Sequence, residues 1–523
     1  MKPAQLAMFP GPTVRHSNGH KAPPPRSKSK AGDTILLSKW RMAGDVLLIA
    51  LALAAEPCAA ETLSQQEVAA IEQGLVPRVI VTGQAQGTRE LHQRLQQTAT
   101  PGLSVALFRA DQVIWAQGYG MAGAGRPVGV HTRFQAASIS KPLTAFGVLL
   151  LVDANHLDLD RDVNDYLKTW KIPDSALTRS EKVTIRRLLS HVAGLNVGGF
   201  PGYEASARIP DAASVLDGKG NSPALKVEAV PGTRYSYSGG GYVVLQKLIE
   251  DQSGQSFAEY MRKRVLEPLR MDDSTFDARP QGDVSLAHDF RGKPYPGGWH
   301  VYPELGPAGL WSTPADLAKF SQGLQDAIDG AKGALLPQSL ARQMIVPSGV
   351  AGGGDEYGLG LELQGSGADA RYGHGGSNAG FKSEWFFFPK RKLGLVVMAN
   401  AENGRVVRNE LIRSISNKYE LGLFPPRTVT RIKVERDKLS ELTGSYRYKD
   451  GQEEVSFRMT FASDGELALE NQSNGKVNHL IAIGPDAFID PETGEELGVV
   501  REAGTGKLQS LLYNREDTLT KAL

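Results

Sequence analysis

Two side chains that can carry out acyl transfer lie three residues apart in the segment Ser138-Ile139-Ser140-Lys141. The segment opens an apolar helical pattern, and residues three apart on a helix share one face. A hydroxyl beside an amine on that face can act as a nucleophile with its own base, and the positive end of the helix favours the alkoxide. Pro142 fits such a first turn, because the N–H groups there have no intrahelical partners. The competing interpretation is a helix cap beside a solvated lysine.

The spacing alone is weakly specific, since Ser-x-x-Lys recurs at residues 27–30 and 473–476. Of the three segments, the one at residue 138 is the one that precedes an apolar helix. Lys141 can accept the serine proton only if part of it is neutral, which requires its pKa to fall from ~10.4 to ~7. Burial and a neighbouring positive charge would have to supply about 4 to 5 kcal/mol for that shift.

A glycine-rich turn at residues 235–242 offers a second hydroxyl for the proton transfers. Tyr237 lies in this turn just before a predicted helix, where its phenol can project into a cleft and share the proton transfers. A tyrosine in such a turn can equally be a packing residue. The turn by itself does not distinguish the two roles.

Two further motifs do not fit the sites that they suggest. Residues 118–123 match a dinucleotide-binding Gly-x-Gly-x-x-Gly, but Gly125 and Pro127 would break the helix that this motif must open, which favours a glycine-rich turn. Residues 375–379 are one residue short of a nucleophile elbow and precede a strand pattern instead of a helix. No His-Glu-x-x-His motif is present, so neither a metal site nor a cofactor is indicated.

Taken together, the motifs of this chain resemble those of the serine β-lactamase and penicillin-binding-protein superfamily. The similarity is to its class C-like branch, which includes D,D-carboxypeptidases, D-aminopeptidases and esterases. It covers roughly residues 85–405 and rests on several elements that occur in the family's order. These elements are residues 134–141, 183–195, Pro231-Gly232, Tyr237-Ser238-Gly239, residues 267–271, residues 308–313 and His374-Gly375-Gly376.

The resemblance implies roles for individual residues. Ser138 would be the acylated nucleophile, Lys141 its proton partner, and Tyr237 the residue that passes protons to the leaving group and to hydrolytic water. A strand would carry the triad usually written Lys-Thr-Gly, and the backbone N–H groups of two serines would form the oxyanion hole. The triad corresponds to His374, Gly375 and Gly376, and the oxyanion-hole serines to Ser138 and Ser377.

Two positions depart from the pattern of the family. Position 239 is glycine where many relatives have asparagine, so Gly239 lacks a side-chain amide that would orient Lys141 or a substrate amide. Position 374 is histidine where β-lactamases have lysine, so His374 provides less fixed positive charge for a substrate carboxylate at pH 7. Both changes argue against efficient β-lactam hydrolysis without choosing among D-peptides, esters and other amides. His191 is interpreted as a family landmark that closes a helix.

The composition of the 523-residue chain is that of a globular protein with more than one domain, with 41% hydrophobic and 22% charged residues. Its net charge of +2 is too small for a nucleic-acid binder. Residues 1–60 are predicted to form a disordered tail and then a signal peptide at about 39–60, with an uncleaved anchor as the alternative. The sole cysteine, Cys58, precedes the expected cleavage site, which excludes thiol chemistry from the mature chain.

The elements that must position the candidate residues fall in residues 61–425, where helical and strand patterns mix. The resemblance implies an α/β (α+β) serine β-lactamase-like fold, an antiparallel sheet with flanking helices and a helical subdomain beside it. Pro425-Pro426 and a basic run are predicted to be a linker. Residues 436–523 then show seven short strand patterns, which are typical of a small all-β barrel.

These observations predict a secreted or periplasmic serine hydrolase that forms an acyl-enzyme with an amide or ester. Its expected partner is a small-molecule or peptide substrate, with no cofactor, no nucleic acid and no stable membrane anchor after signal cleavage. Two alternatives stay open. One is a non-hydrolytic, penicillin-binding-like sensor or binding protein, and the other is an acyltransferase in which an amine or alcohol replaces water.

Overall fold

The computed structural model describes residues 62–522, apart from residues 86, 88, 110–111, 124, 351–355, 451–452 and 463–465. The tail and signal peptide expected at residues 1–60, and Cys58 with them, lie outside the described residues. The helices are α1 (Gln65–Gln73), α2 (Leu91–Gln97), α3 (Ser140–Asn155), α4 (Ile185–Leu189), α5 (Ala212–Leu216), α6 (Gly239–Ser253), α7 (Phe257–Met261), α8 (Leu305–Ala308), α9 (Pro314–Asp329), α10 (Gln338–Met344), α11 (Gly404–Tyr419) and α12 (Arg436–Glu441).

Short helical turns and strands complete the secondary structure. Single 3₁₀ turns lie at Ala137–Ile139, Val163–Asp165, Ala176–Thr178 and Gly367–Asp369, and a π-helical turn at Arg262–Leu266 continues α7. The strands of the first 430 residues are β1 (Val79–Val81), β2 (Gly102–Arg109), β3 (Gln112–Gly123), β4 (Arg126–Pro127), β5 (Phe134–Gln135), β6 (Trp311–Ser312), β7 (Glu356–Tyr357), β8 (Glu362–Gln364), β9 (Arg371–Asn378), β10 (Phe381–Phe388), β11 (Leu393–Ala399) and β12 (Arg427–Val429). The remaining strands are β13 (Gly444–Asp450), β14 (Glu453–Phe461), β15 (Leu467–Asn471), β16 (Val477–Gly484), β17 (Ala487–Ile489), β18 (Glu496–Arg501), β19 (Leu508–Tyr513) and β20 (Asp517–Lys521).

The central sheet has the strand order β4-β3-β2-β11-β10-β9-β8-β7, and each neighbouring pair is antiparallel. Helices cover both of its faces, which explains why β10 and β11 are buried along their whole length. Val397 and its like-facing neighbours pack against α1, α2 and α11. Val396 and Phe387, on the other face, pack against the helices that include α3 and α9. The expected antiparallel sheet with flanking helices is confirmed.

The helix α3, which carries Lys141, lies in the core beside the sheet. Its residues 140–152 are all buried, and Pro142 occupies the first turn, where a missing N–H costs little. Together with the preceding turn, Ala137–Asn155 is long and apolar enough to cross a membrane by length and composition. Since 83% of its most apolar window is buried inside the protein, its apolar character is that of a core helix.

The C-terminal strands β13 to β20 form a closed antiparallel barrel. The sequence predicts seven of these strands, and the structure adds an eighth, β20 (Asp517–Lys521). This strand pairs with β19 and with β13, and so closes the barrel. The pattern analysis missed it because Leu519 is the one apolar side chain that the strand buries. The prediction of a small all-β barrel is confirmed.

The segment predicted as a linker also holds secondary structure. Its residues Arg427–Val429 form β12, which pairs in parallel with β1 near the start of the described chain. Val429 and two valines of β1 pack against Ile481 and Ile489 of the barrel. A strand of three residues is too short to show periodicity, and its partner lies about 350 residues away in the sequence. The barrel is therefore docked on the rest of the chain.

Candidate active site

Ser138 lies in the 3₁₀ turn Ala137–Ile139 directly before α3 and is half-buried. Ala137 has a φ of +52°, the left-handed region that a residue with a β-carbon occupies at a cost of order 1–3 kcal/mol. Ser140 holds the turn in place, because its Oγ donates to Ala137 O at 2.6 Å and accepts from the Leu310 N–H at 2.9 Å. The strained backbone of Ala137, which the hydrogen bonds of Ser140 hold in place, indicates that Ser138 occupies a functional position.

Lys141 lies in the first turn of α3 and is 2% exposed. Its Nζ donates to Ser138 Oγ at 3.1 Å and to Pro307 O at 3.1 Å. Burial lowers the pKa of Lys141 to about 7, while the nearby Glu362 carboxylate acts in the opposite direction. The sequence predicts such a pKa shift from burial and a neighbouring positive charge. In the structure burial is the cause, and the charge that influences Lys141 is negative.

Tyr237 lies in the turn before α6, with its ring centre 4.7 Å from Lys141 Nζ. Its hydroxyl is buried and makes no hydrogen bond of normal geometry with the described residues. A weaker interaction with Ser138 favours the phenolate, but burial outweighs it and raises the pKa of Tyr237 well above its usual value. The phenol is therefore protonated at neutral pH. Tyr235, two residues earlier in the same turn, has its ring centre 6.0 Å from that of His191.

His191 lies behind Tyr237 and is fully enclosed, at 2% exposure. Its Nδ1 accepts a hydrogen bond from the Ser238 N–H at 3.1 Å, and its ring centre lies 4.2 Å from that of Tyr237. Tyr357 packs on it as well, at 4.7 Å between ring centres. Burial and the proximity of Lys141 lower the pKa of His191 well below its usual value, so the ring is neutral. His191 therefore packs against the ring of Tyr237 and helps to hold it in position.

Strand β9, which carries the predicted triad His374-Gly375-Gly376, packs against the turn that holds Ser138. A β-carbon at Gly376 would lie 2.2 Å from Ala136 O, so only glycine permits this approach. Gly375 and Ser377 flank it on the same strand and are half-buried, as Ser138 is. The structure thus brings together the segments to which the family resemblance assigns the oxyanion hole.

The side chain of His374 is fully buried in the protein. Its Nε2 lies 3.0 Å from the Tyr357 hydroxyl and its Nδ1 2.6 Å from Gly375 O. The carbonyl can only accept, so Nδ1 carries the proton and Nε2 accepts from the phenol. Burial and Lys141 lower the pKa of His374 to about 3. The residue at the position of the family's lysine is therefore a neutral, fully bonded histidine.

Gly239 is the first residue of α6 and lies against Phe200 of the loop that follows α4. A β-carbon at position 239 would lie 2.9 Å from Phe200 Cε2. Phe200, Tyr357 and Glu362 are parts of the site that the sequence does not predict. Each lies in a segment without a motif, and each meets the site through a contact distant in sequence, so the sequence offered no local signal for them.

The described part of the chain contains no group of three or more His, Cys, Asp or Glu side chains that could hold a metal ion. The polar groups around Ser138 are instead an amine, phenols and backbone amides. These groups can accept, donate and relay protons and can stabilise an oxyanion.

Comparison with known proteins gives consistent similarities. A family model described as Beta-lactamase matches residues 88–417. Penicillin-binding protein 4 of Amycolatopsis lactamdurans is 32% identical over 302 residues, covering 54% of this chain and 75% of that protein. A D-aminopeptidase of Gluconobacter oxydans is 28% identical over 309 residues, covering 57% of this chain and 56% of that protein. Esterase EstB of Burkholderia gladioli is 29% identical over 218 residues, covering 39% of this chain and 54% of that protein.

The fold has solved counterparts as well. An octameric penicillin-binding protein homologue from Pyrococcus abyssi superposes with a TM-score of 0.55 at 21% identity, over 82% of this chain and 98% of the other. At that identity the likeness concerns the fold. Because the superposition covers 82% of this chain, it extends well beyond the 330 residues of the family match.

Proposed function

Since the chain belongs to the β-lactamase family, we propose that it is a serine hydrolase that works through an acyl-enzyme on Ser138 Oγ. The observation that carries the proposal is the contact of 3.1 Å between Ser138 Oγ and Lys141 Nζ, a buried amine whose pKa is about 7. About half of such an amine is neutral at pH 7 and can accept the serine proton. The substrates are amides or esters, the class that the names of the relatives indicate.

Acylation begins when neutral Lys141 takes the proton of Ser138 Oγ as that oxygen attacks the substrate carbonyl carbon. The C=O bond opens to an oxyanion, which the backbone N–H groups of Ser138 and Ser377 stabilise. The oxyanion then collapses, the bond to the leaving amine or alcohol breaks, and the leaving group takes a proton. Tyr237 supplies that proton and regains it from Lys141, because its phenol is protonated and its ring adjoins the amine.

Deacylation repeats these steps with water in place of the serine. Water attacks the acyl carbon as Tyr237 takes its proton and passes the phenolic proton to neutral Lys141, and the bond to Ser138 Oγ breaks as Lys141 returns that proton to the serine. The carboxylic acid leaves, and the enzyme returns to its starting protonation state. An acyltransferase would follow the same course with an amine or alcohol as the attacking group.

A chromogenic ester tests the proposal directly. Mixing the purified chain with p-nitrophenyl acetate should release p-nitrophenol in a burst close to one equivalent, followed by steady turnover, and intact-mass spectrometry of quenched samples should find one acetyl adduct. Adding an amine acceptor and analysing the products separates hydrolysis from acyl transfer. A folded protein that gives neither burst nor adduct would contradict the proposal and favour a non-hydrolytic binding protein.

Replacing Tyr237 by phenylalanine removes the proton relay and leaves the ring in place. We expect kcat to fall by about 10²–10⁴-fold for an alkyl ester or amide, whose leaving group must be protonated. The loss should be much smaller for acylation by a p-nitrophenyl ester, whose leaving group departs as an anion. Stopped-flow rates for both substrates measure this difference. The matched control is Tyr235→Phe on the same turn, and equal losses for the two substrates would contradict the relay.

We also propose that the protein is exported from the cytoplasm to the periplasm or the medium. The proposal rests on Lys39 and Arg41 ahead of the apolar run 46–55 and on the small residues that end at Ala60. Expression of the full chain with its own N-terminus should give a mature protein in the periplasm or medium whose first residue is near Glu61. N-terminal sequencing checks this, and a mature N-terminus upstream of the apolar run would overturn it.

A further inference from the structure

The loop that carries Phe200 is tied to the start of α6 by three hydrogen bonds. The Gly239 N–H donates to Gly198 O at 3.1 Å, and the Gly240 N–H donates to Val197 O at 3.0 Å. The Ser238 hydroxyl donates to the carbonyl of residue 196 at 2.7 Å. This end of the loop is therefore fixed to the same turn that presents the proposed proton relay.

The far end of the loop is fixed as well. The Tyr203 N–H donates to Val301 O at 2.8 Å, and the Val301 N–H donates back to Tyr203 O at 2.7 Å. Phe200 lies between the two anchors and is half-buried. Its ring is therefore held against Gly239 as a preformed wall rather than as a mobile surface group.

The ring occupies the space into which a side chain at position 239 would extend. A β-carbon there would lie 2.9 Å from Phe200 Cε2 and 3.1 Å from Gly198 O, which is too close for the loop as it stands. The family resemblance implies an asparagine amide at this position in many relatives. In this chain an apolar aromatic ring stands where those relatives offer a polar group.

Position 374, the second position where relatives bind a polar substrate group, is unable to do so here for a different reason. His374 stands where β-lactamases have a lysine, but its side chain is fully buried, and both of its nitrogens are bonded within the protein. Lys382 on the neighbouring strand is paired with Glu402 at 2.6 Å, so its charge is already neutralised. Neither position 239 nor position 374 therefore offers a group to a substrate amide or carboxylate.

We propose that Phe200 is a specificity determinant, and that the site selects acyl groups that are apolar and uncharged next to the scissile carbonyl. The preferred substrates are then esters of simple carboxylic acids, ahead of N-acylated amino acids. The proposal rests on the hydrolase function proposed above. Its physical reason is that an acyl amide beside the Phe200 ring loses its hydrogen bonds to water without replacement, whereas an alkyl chain gains contact with the ring.

Two esters of matched length and the same leaving group test this preference. They are p-nitrophenyl pentanoate and the p-nitrophenyl ester of N-acetylglycine, each kcat/KM divided by the rate of hydroxide hydrolysis of that ester. We expect wild type to prefer pentanoate about 10-fold or more, the factor that one unsatisfied amide produces. In Phe200→Ala the preference should fall at least about fivefold, and in Phe200→Ala/Gly239→Asn it should fall further toward the amide ester.

Controls distinguish a failure of the specificity proposal from a failure of the proposed hydrolase function. Phe461→Ala removes a half-buried phenylalanine of the barrel and should leave the preference at the wild-type value. Phe200→Leu keeps an apolar side chain and should retain more preference than Phe200→Ala. Fluorophosphonate titration gives the concentration of folded, reactive sites in each variant. An unchanged preference in Phe200→Ala would overturn the specificity proposal alone, and no hydrolysis of either ester by wild type would overturn the hydrolase function with it.

Discussion

Changing Ser138 to alanine should lower kcat/KM for p-nitrophenyl acetate by about 10⁴-fold or more and abolish the burst. The reason is that Ser138 Oγ is the one hydroxyl bonded to the buried amine of Lys141 among the described residues. Without it no covalent intermediate can form, and the residual rate is that of hydrolysis by water near the oxyanion hole. Burst kinetics and intact-mass spectrometry with a fluorophosphonate measure both consequences.

The chain supplies its own matched control for this substitution. Ser473 and Lys476 have the same spacing, but Ser473 is exposed on a barrel hairpin, and Lys476 pairs with Glu495 at 2.5 Å. Ser473→Ala should retain full activity and labelling. A fluorophosphonate adduct that survives in Ser138→Ala, or labelling lost in Ser473→Ala, would show that the nucleophile lies elsewhere.

The contrast between the two Ser-x-x-Lys segments explains how far sequence reasoning reaches. The apolar pattern after Lys141 indicated a buried helix, and burial is what shifts the pKa of this lysine. Periodicity therefore predicted the helix and the pair that it carries, whereas the fold class was implied by the family resemblance. The same kind of reasoning predicted seven barrel strands and missed β20, because a strand that buries only Leu519 leaves almost no pattern.

What the sequence could not supply were contacts between distant segments. Phe200 meets Gly239, and Tyr357 meets His374, through loops that have no periodicity and no motif. The sequence predicted burial as a cause of the shifted lysine pKa, but it could not show that the charge near Lys141 is the Glu362 carboxylate rather than a positive group. A substitution such as glycine at position 239 can be noticed in a sequence, but the group that fills the vacated space is visible only in three dimensions.

The pH dependence of acylation provides the second large effect. Lys141 acts as a base only when neutral, and its pKa is lowered to about 7. The rate of acylation should therefore rise about tenfold per pH unit below that pKa and level off above it. A lysine with its ordinary pKa would instead give a rate that continues to rise up to about pH 10. Stopped-flow burst rates from pH 5 to 10 distinguish the two profiles.

Replacing Lys141 by arginine or methionine should remove this profile and lower the acylation rate by about 10³-fold. Arginine is the sharper test, because it keeps a positive charge but cannot be deprotonated in a protein and so cannot serve as the base. If Lys141 merely attracted an anionic substrate or oxyanion, arginine would restore most of the rate that methionine loses. Lys476→Arg is the control of equal chemistry outside the site, and it should keep the wild-type profile. A rate that stays high in Lys141→Arg would therefore assign the base to another group.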